Sequence, residues 1–111
     1  MVDVHKAFAE IAPHWKIPTD LPYFQGHFPG NPIFPAVGIV DASFVLIRKK
    51  LSNPRLALIG MSTSKFMNPM GPGQEVQIDL KEINPGEWEA VWKDKEKTFG
   101  TVRLKVAEES P

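Results

Sequence analysis

The sequence predicts an α+β domain in which an antiparallel sheet covers one long helix. Residues 36–51 contain no proline and are mostly apolar, which favours a buried helix. From Glu75 to Val106, apolar and polar residues alternate in three successive runs, as they do in strands with one buried face. Because short turns separate these runs, we expect antiparallel neighbouring strands with the helix packed on their apolar face.

The first residues of the chain give weaker signals. Apolar residues at Val4, Phe8 and Ile11 have helical spacing within VHKAFAEIA, yet the segment stays ambiguous. Residues 13–18 are compatible with a short strand that ends at its proline.

Turn residues predict the boundaries of the later elements. Residues 52–54, Ser-Asn-Pro, end the helix, and residues 55–66 then have strand-like content. Residues 67–73 are rich in proline and glycine and predict a turn, as do residues 84–86, Asn-Pro-Gly. The charged run at 93–97 is the expected solvated tip of the last hairpin.

Length and composition limit the function classes. The chain of 111 residues is long enough for one small domain, residues 1–111. Its charges cancel and its basic residues are spread out, so we expect no dedicated nucleic-acid surface. The absence of cysteine excludes thiolate nucleophiles and cysteine-ligated zinc. The N-terminus lacks a secretory pattern, and Pro35 and Asp41 interrupt the longest apolar stretch, so we expect a cytoplasmic protein without a membrane span.

The helix also predicts an oligomer. It is apolar on nearly every side, whereas one open sheet covers only one of those sides. Either the sheet wraps around the helix or a second subunit packs beside it. We expect a homodimer as the smallest assembly, with a higher oligomer left open.

Asp41 is a lone carboxylate within this helix. Its neighbours one helical turn away are Val37, Gly38, Phe44 and Val45, and none of them is charged. An unpaired carboxylate is costly to bury, so Asp41 should either have a structural partner or serve as a proton donor. The pattern leaves both interpretations open.

His27 is the natural residue to work with Asp41. Imidazole changes protonation near neutral pH and is a common general base. The loop that carries it contains residues that restrict the backbone or permit unusual angles, among them Gly26, Pro29 and Pro35. This rigid frame aims the histidine, which distinguishes it from a histidine in a flexible segment.

A long apolar helix after a loop rich in glycine and proline, followed by a meander of strands, resembles the hotdog fold. The loop is similar to a pattern of hotdog 3-hydroxyacyl-[acyl-carrier-protein] dehydratases: His-Phe-Pro, two residues, Pro-Ile, one residue, Pro-Gly-Val, then an acid on the helix. The matching residues are His27, Phe28, Pro29, Pro32, Ile33, Pro35, Val37 and Asp41. Residues 65–73 resemble that family's second pattern, Lys-Phe, two residues, Pro-Val, one residue, Pro-Gly. The short chain and the aspartate look most like the small dehydratases of aryl polyene synthesis.

The resemblance implies an elimination reaction. His27 would remove a proton from the carbon beside the thioester carbonyl, and Asp41 would protonate the departing 3-hydroxyl group. A base active near neutral pH and an acid in an apolar pocket suit these roles. The backbone amides of Ala36 and Val37, at the start of the helix, are the expected donors to the enolate oxygen. No metal or redox cofactor is expected, and each site would take its histidine and its acid from different subunits.

The substrate would arrive on phosphopantetheine, either of an acyl carrier protein or of coenzyme A. Arg48, Lys49 and Lys50 end the helix, where the helix dipole favours cations. They are therefore either an ordinary helix terminus or a docking patch for an acidic carrier protein, which Arg55 and Lys65 would extend.

Two departures from the family pattern leave alternatives open. Ala36 replaces the usual glycine, and Val45 replaces a glutamine beside the acid, which leaves the hydrogen bonding of Asp41 undetermined. The alternatives are a hotdog thioesterase, which needs no framed histidine, and a non-catalytic acyl-thioester-binding protein. Release of free thiol, formation of a conjugated enoyl product, or binding without turnover distinguishes the three.

Overall fold

The computed structural model describes residues 4–24 and 32–109, with side-chain burial described from residue 6 onward. The predictions for Gly26, His27, Phe28 and Pro29 lie outside the described residues. The elements in chain order are α1 Val4–Ala7, β1 His14–Lys16, a 3₁₀ turn at Pro22–Phe24, α2 Ala36–Leu51, β2 Leu56–Phe66, β3 Glu75–Asn84, β4 Glu87–Lys93 and β5 Thr98–Glu108. None of the described helices is long and apolar enough to span a membrane.

The predicted long helix is confirmed with its predicted bounds. It begins after Pro35, whose extended backbone precedes the first turn. It ends because Ser52 adopts a left-handed conformation with φ of 50°, and the cap backbone N–H bonds to the carbonyls of Arg48 and Lys49. The ambiguous N-terminal segment forms a single helical turn, and the strand predicted within residues 13–18 is only three residues long.

Within the described residues, five antiparallel strands form one sheet in the order β1-β3-β4-β5-β2. The predicted turn at 84–86 depends on Gly86, whose φ of 76° is unfavourable for other residues. At the tip between β4 and β5, the Asp94 carboxylate accepts hydrogen bonds from the backbone N–H groups of Glu96 and Lys97, each at 2.8 Å. These turns confirm the predicted meander.

The buried face of α2 packs on the inner face of the sheet. Ser43, in the middle of the helix, is fully buried. Its hydroxyl donates to the Ile39 carbonyl at 2.7 Å and accepts a hydrogen bond from Trp92 Nε1 at 2.9 Å. Because Trp92 lies on β4 and is itself fully buried, this contact joins the helix to the centre of the sheet without leaving a polar group unsatisfied.

Large exposed apolar side chains are concentrated on β2 and α2. β2 ends the strand order, so one of its edges has no neighbouring strand in the described part of the chain. Exposed large apolar side chains occur here and on the adjacent helix, namely Val37, Leu51, Leu58, Ile59, Met61, Phe66 and Met67. We call these seven residues the edge face. Large apolar side chains exposed on and beside an edge strand are typical of an interaction site.

Candidate active site

Asp41 lies at the boundary between the buried and the exposed sides of α2. Gly38 and Val45, about one turn away on either side, are buried, whereas Val37 is 58% exposed. The half-buried Asp41 carboxylate has a specific partner, because the Tyr23 hydroxyl donates a hydrogen bond to its Oδ2 at 2.6 Å. The prediction that Asp41 avoids an ordinary solvated face is confirmed, but sequence reasoning did not identify Tyr23 as its partner.

Tyr23 is held in place by aromatic packing. It lies in the 3₁₀ turn Pro22–Phe24, four residues before His27 in the sequence. Its ring stacks on Phe8, with centroids 5.9 Å apart, and meets the edge of Phe34 at 5.6 Å. Both phenylalanines are almost fully buried, so the tyrosine ring packs against a rigid surface. The hydroxyl is therefore aimed at the helix rather than free to rotate into solvent.

The close approach of Phe34 to the helix depends on Gly38. A Cβ atom at this position would lie 2.5 Å from Cε1 of the Phe34 ring, closer than real Cβ atoms approach any neighbour. The backbone N–H of Phe34 is also bonded to the Met70 carbonyl at 2.8 Å, which ties the ring to the turn after β2. A side chain at position 38 would thus displace the ring that supports Tyr23.

The protonation of Tyr23 suits a hydrogen-bond donor. Burial, followed by the hydrogen bond to Asp41 and the charge of its carboxylate, raises the pKa of Tyr23 well above its usual value of 10.0. The phenol therefore keeps its proton throughout the neutral range and donates it to the hydrogen bond with Asp41.

The start of α2 presents the two predicted backbone donors. The Pro35 carbonyl accepts hydrogen bonds from the N–H groups of Gly38 and Ile39 at 2.9 and 3.1 Å. Ala36 and Val37 precede these first intrahelical donors, and both residues are exposed. Amides at this position point away from the helix along its dipole. Their role as donors to an enolate oxygen stays a prediction.

A cleft of about 330 Å³ opens beside the helix start. Its walls are mostly apolar, and the lining residues are Ile33, Phe34, Pro35, Ala36, Ile39, Phe66, Met67, Asn68, Pro69 and Met70. Asp41 is not among them. The described residues of one chain therefore do not combine the cleft and the carboxylate in one site.

Charged groups away from Asp41 have mainly structural contacts. The Lys49 ammonium donates to the carbonyls of Ala9 and Ile11, each at 2.8 Å, and so fixes the N-terminal segment to α2. Arg48 lies over an aromatic ring of its own helix, 5.5 Å from the ring centre, whereas Lys50 is exposed. Carrier docking by these three residues stays a prediction. In the described ranges, no group of three or more His, Asp or Glu residues is arranged to hold a metal ion.

Comparison with known proteins identifies a family. The model of the ApeI-like family, described as ApeI dehydratase, matches residues 4–101. A 3-hydroxyacyl-[acyl-carrier-protein] dehydratase FabZ from Aeromonas hydrophila is 32% identical over 68 residues, which cover 54% of this chain and 44% of the relative. The chain thus spans about half the length of the curated relatives that it matches.

Solved structures share the fold. The dehydratase heterocomplex ApeI:P from Xenorhabdus doucetiae aligns with a TM-score of 0.72 at 21% identity, covering 86% of this chain and 84% of the matched chain. An uncharacterised protein from Erwinia carotovora aligns with a TM-score of 0.73 at 22% identity, with coverage of 86% and 80%. These likenesses confirm the predicted hotdog fold.

Tyr23 is the one tyrosine in the sequence, so its ionisation can be followed directly. Ultraviolet difference titration of the folded protein should show tyrosinate only well above pH 10.0, the usual pKa. Asp41→Asn should lower the pKa of Tyr23 only part of the way towards its usual value, because burial of the phenol still raises the pKa. Since the folded-state pKa is raised, this group's contribution to stability is complete below about pH 10 and is lost as the pH rises towards the folded-state pKa.

Asp79→Asn is the matched control, because Asp79 is a carboxylate that bonds Lys93 on the other side of the sheet. This substitution should leave the Tyr23 titration unchanged. Ionisation of Tyr23 at its usual pKa in the folded protein, or no response to Asp41→Asn, would contradict the described hydrogen bond.

Proposed function

The chain belongs to the ApeI-like dehydratase family, and we propose that it dehydrates 3-hydroxyacyl thioesters to trans-2-enoyl thioesters. The observation that carries this proposal is the Asp41 carboxylate, which lies in an apolar helix and is bonded to one phenol donor. Bonds to a cation or to backbone amides stabilise a carboxylate in its ionised form. Asp41 instead has a neutral partner, which suits a group that gains and gives a proton during turnover.

The roles of the residues follow the chemistry of an elimination. The His27 imidazole takes the proton from C2 of the acyl chain, and the C2–H electrons form the double bond to C3. The C3–O bond breaks, and the hydroxyl leaves as water with the proton of Asp41. The amides of Ala36 and Val37 stabilise the negative charge that develops on the thioester oxygen. Transfer of one proton from the His27 imidazolium to the Asp41 carboxylate then restores the starting state.

An acyl carrier protein is the proposed carrier of the substrate. Support comes from the curated relatives, whose names specify acyl-carrier-protein thioesters. The mostly apolar cleft beside the helix start has a volume of about 330 Å³, within the range of small-molecule sites. A coenzyme A thioester presents the same phosphopantetheine and is the alternative carrier.

Removal of either reacting group should abolish most of the turnover. His27→Ala and Asp41→Asn should each lower the formation of conjugated enoyl thioester by about a hundredfold or more, the scale of losing a general acid or base. The control variants are His14→Ala and Asp79→Asn, which remove an imidazole and a carboxylate outside the proposed site. Both should retain wild-type rates. The assay follows enoyl absorbance and free thiol together.

The same assay separates the alternatives. Near wild-type rates in His27→Ala or Asp41→Asn would refute the assigned role. Free thiol in place of enoyl product would identify a thioesterase, and thioester binding without either product would identify a non-catalytic binding protein.

The proposed assembly is a homodimer built on the edge face. Ile59 and Met61 are 64% and 51% exposed on β2, and within the described residues the backbone groups along one edge of this strand pair with no other strand. Pairing two copies of β2 around a twofold axis would bond these groups and cover the apolar side chains in one step. The Xenorhabdus structure is described as a heterocomplex, so a related but different chain is the alternative occupant of this face.

A charge on the edge face should prevent dimer formation. Light scattering should give twice the chain mass for the wild type, and Ile59→Asp should weaken the dimer more than a hundredfold, because it buries an unpaired carboxylate twice in a symmetric interface. Lys81→Ala, a substitution on β3, changes the net charge by the same amount as Ile59→Asp and should leave the dimer intact. A wild-type protein that is folded and monomeric would refute the homodimer.

A further inference from the structure

The two oxygens of the Asp41 carboxylate have different surroundings. Oδ2 accepts the hydrogen bond from Tyr23 at 2.6 Å. An aspartate carboxylate is two-fold symmetric about its last torsion, so without a partner its oxygens exchange freely. A donor fixed on one oxygen removes this equivalence. Oδ1 is then the oxygen that is left for a reacting group.

No side chain one helical turn from Asp41 can donate a hydrogen bond to its carboxylate. Val37, Gly38, Phe44 and Val45 surround it along the helix, and none has a polar side-chain atom. Position 45 is buried and apolar. Tyr23 therefore supplies, from outside the helix, a hydrogen bond that none of these neighbours can supply.

The geometry of Tyr23 is suited to this task. Its ring is fixed between Phe8 and Phe34, both almost fully buried, so the position of its hydroxyl oxygen is set by the core. Its proton is firmly held at neutral pH. A donor that neither moves nor ionises can keep the carboxylate in one rotamer through a catalytic cycle.

We infer that Tyr23 is a positioning residue, which holds Oδ2 of Asp41 so that Oδ1 carries the proton given to the departing hydroxyl. This inference rests on the proposed dehydratase function. Tyr23 acts through Asp41 and has no contact with the substrate. Removal of the Tyr23 hydroxyl should therefore lower kcat only in a protein whose Asp41 can act as the acid.

A double-mutant cycle with Tyr23→Phe and Asp41→Asn tests the inference. Tyr23→Phe keeps the packed ring and removes only the hydroxyl. It should lower kcat by about tenfold and change KM by less than about twofold. In the Asp41→Asn background, the same change should alter kcat by less than about twofold, because the group that Tyr23 positions no longer reacts.

Ser43→Ala provides a matched control. It also removes a hydroxyl close to Asp41 on the same helix, but that hydroxyl bonds Ile39 and Trp92 in the core. It should lower the unfolding midpoint in urea and leave kcat within about twofold of the wild type. A loss of kcat in Ser43→Ala as large as in Tyr23→Phe would show that Tyr23 acts through general stability, and would overturn the inference.

Other outcomes are equally decisive. An unchanged kcat in Tyr23→Phe, with an active wild type, would overturn the inference and leave the dehydratase function standing. A loss in Tyr23→Phe as large as in Asp41→Asn would overturn it too, because the phenol would then be the acid itself. A wild type that forms no enoyl product would refute the proposed function and, with it, the role of Tyr23 in turnover.

Discussion

The cost of placing a carboxylate in an apolar helix is the constraint on which the site depends. None of the residues one helical turn from Asp41 along α2 has a polar side chain, and its hydrogen bond comes from another part of the chain. The donor is Tyr23, eighteen residues earlier in the sequence. The 3₁₀ turn before the histidine loop and the second turn of the helix are therefore linked by one short hydrogen bond.

The aromatic core makes this hydrogen bond possible. Phe34 contacts Tyr23 and lies against the helix where Gly38 leaves room for its ring. Trp15 and Trp92 pack around the same ring, with centroids 6.3 and 6.0 Å from that of Phe34. The position of the Tyr23 hydroxyl is thus determined by the same packing that stabilises the domain. A substitution at Phe34 or Gly38 should therefore alter both the packing of the core and the position of the Tyr23 hydroxyl.

Much of the fold was predictable from the sequence because its signals are local. The signals are proline, the residue Ser52 at the helix end and alternating polarity, and each acts within a few residues. The predicted bounds of α2 and the predicted order of the later strands were therefore correct. Asp41 was recognisable because one charge among apolar neighbours violates helical patterning. The short N-terminal helix was harder to predict, because it depends on tertiary contacts such as the bonds of Lys49 to the carbonyls of Ala9 and Ile11.

The part of the site that was not predictable is set by contacts distant in sequence. No spacing rule connects Tyr23 to Asp41, and the only available signal was a single tyrosine beside the histidine loop. Likewise, Lys49 carries the charge expected of a docking patch, yet its ammonium bonds backbone carbonyls. Such roles depend on which surfaces the fold brings together, and sequence pattern alone does not specify this.

Among the residues that the structure describes in one chain, the cleft at the helix start does not include the Asp41 carboxylate, and the side chains of the edge face are exposed. Both facts agree with a site that is completed by a second copy. The most direct measurement mixes His27→Ala and Asp41→Ala, each inactive alone, after unfolding and refolding them together. About half of the dimers formed at random are mixed, and each mixed dimer regains one intact site of two, so about a quarter of wild-type activity should return. Activity that stays at the level of the single variants would show that each site is built within one chain, and would contradict this account.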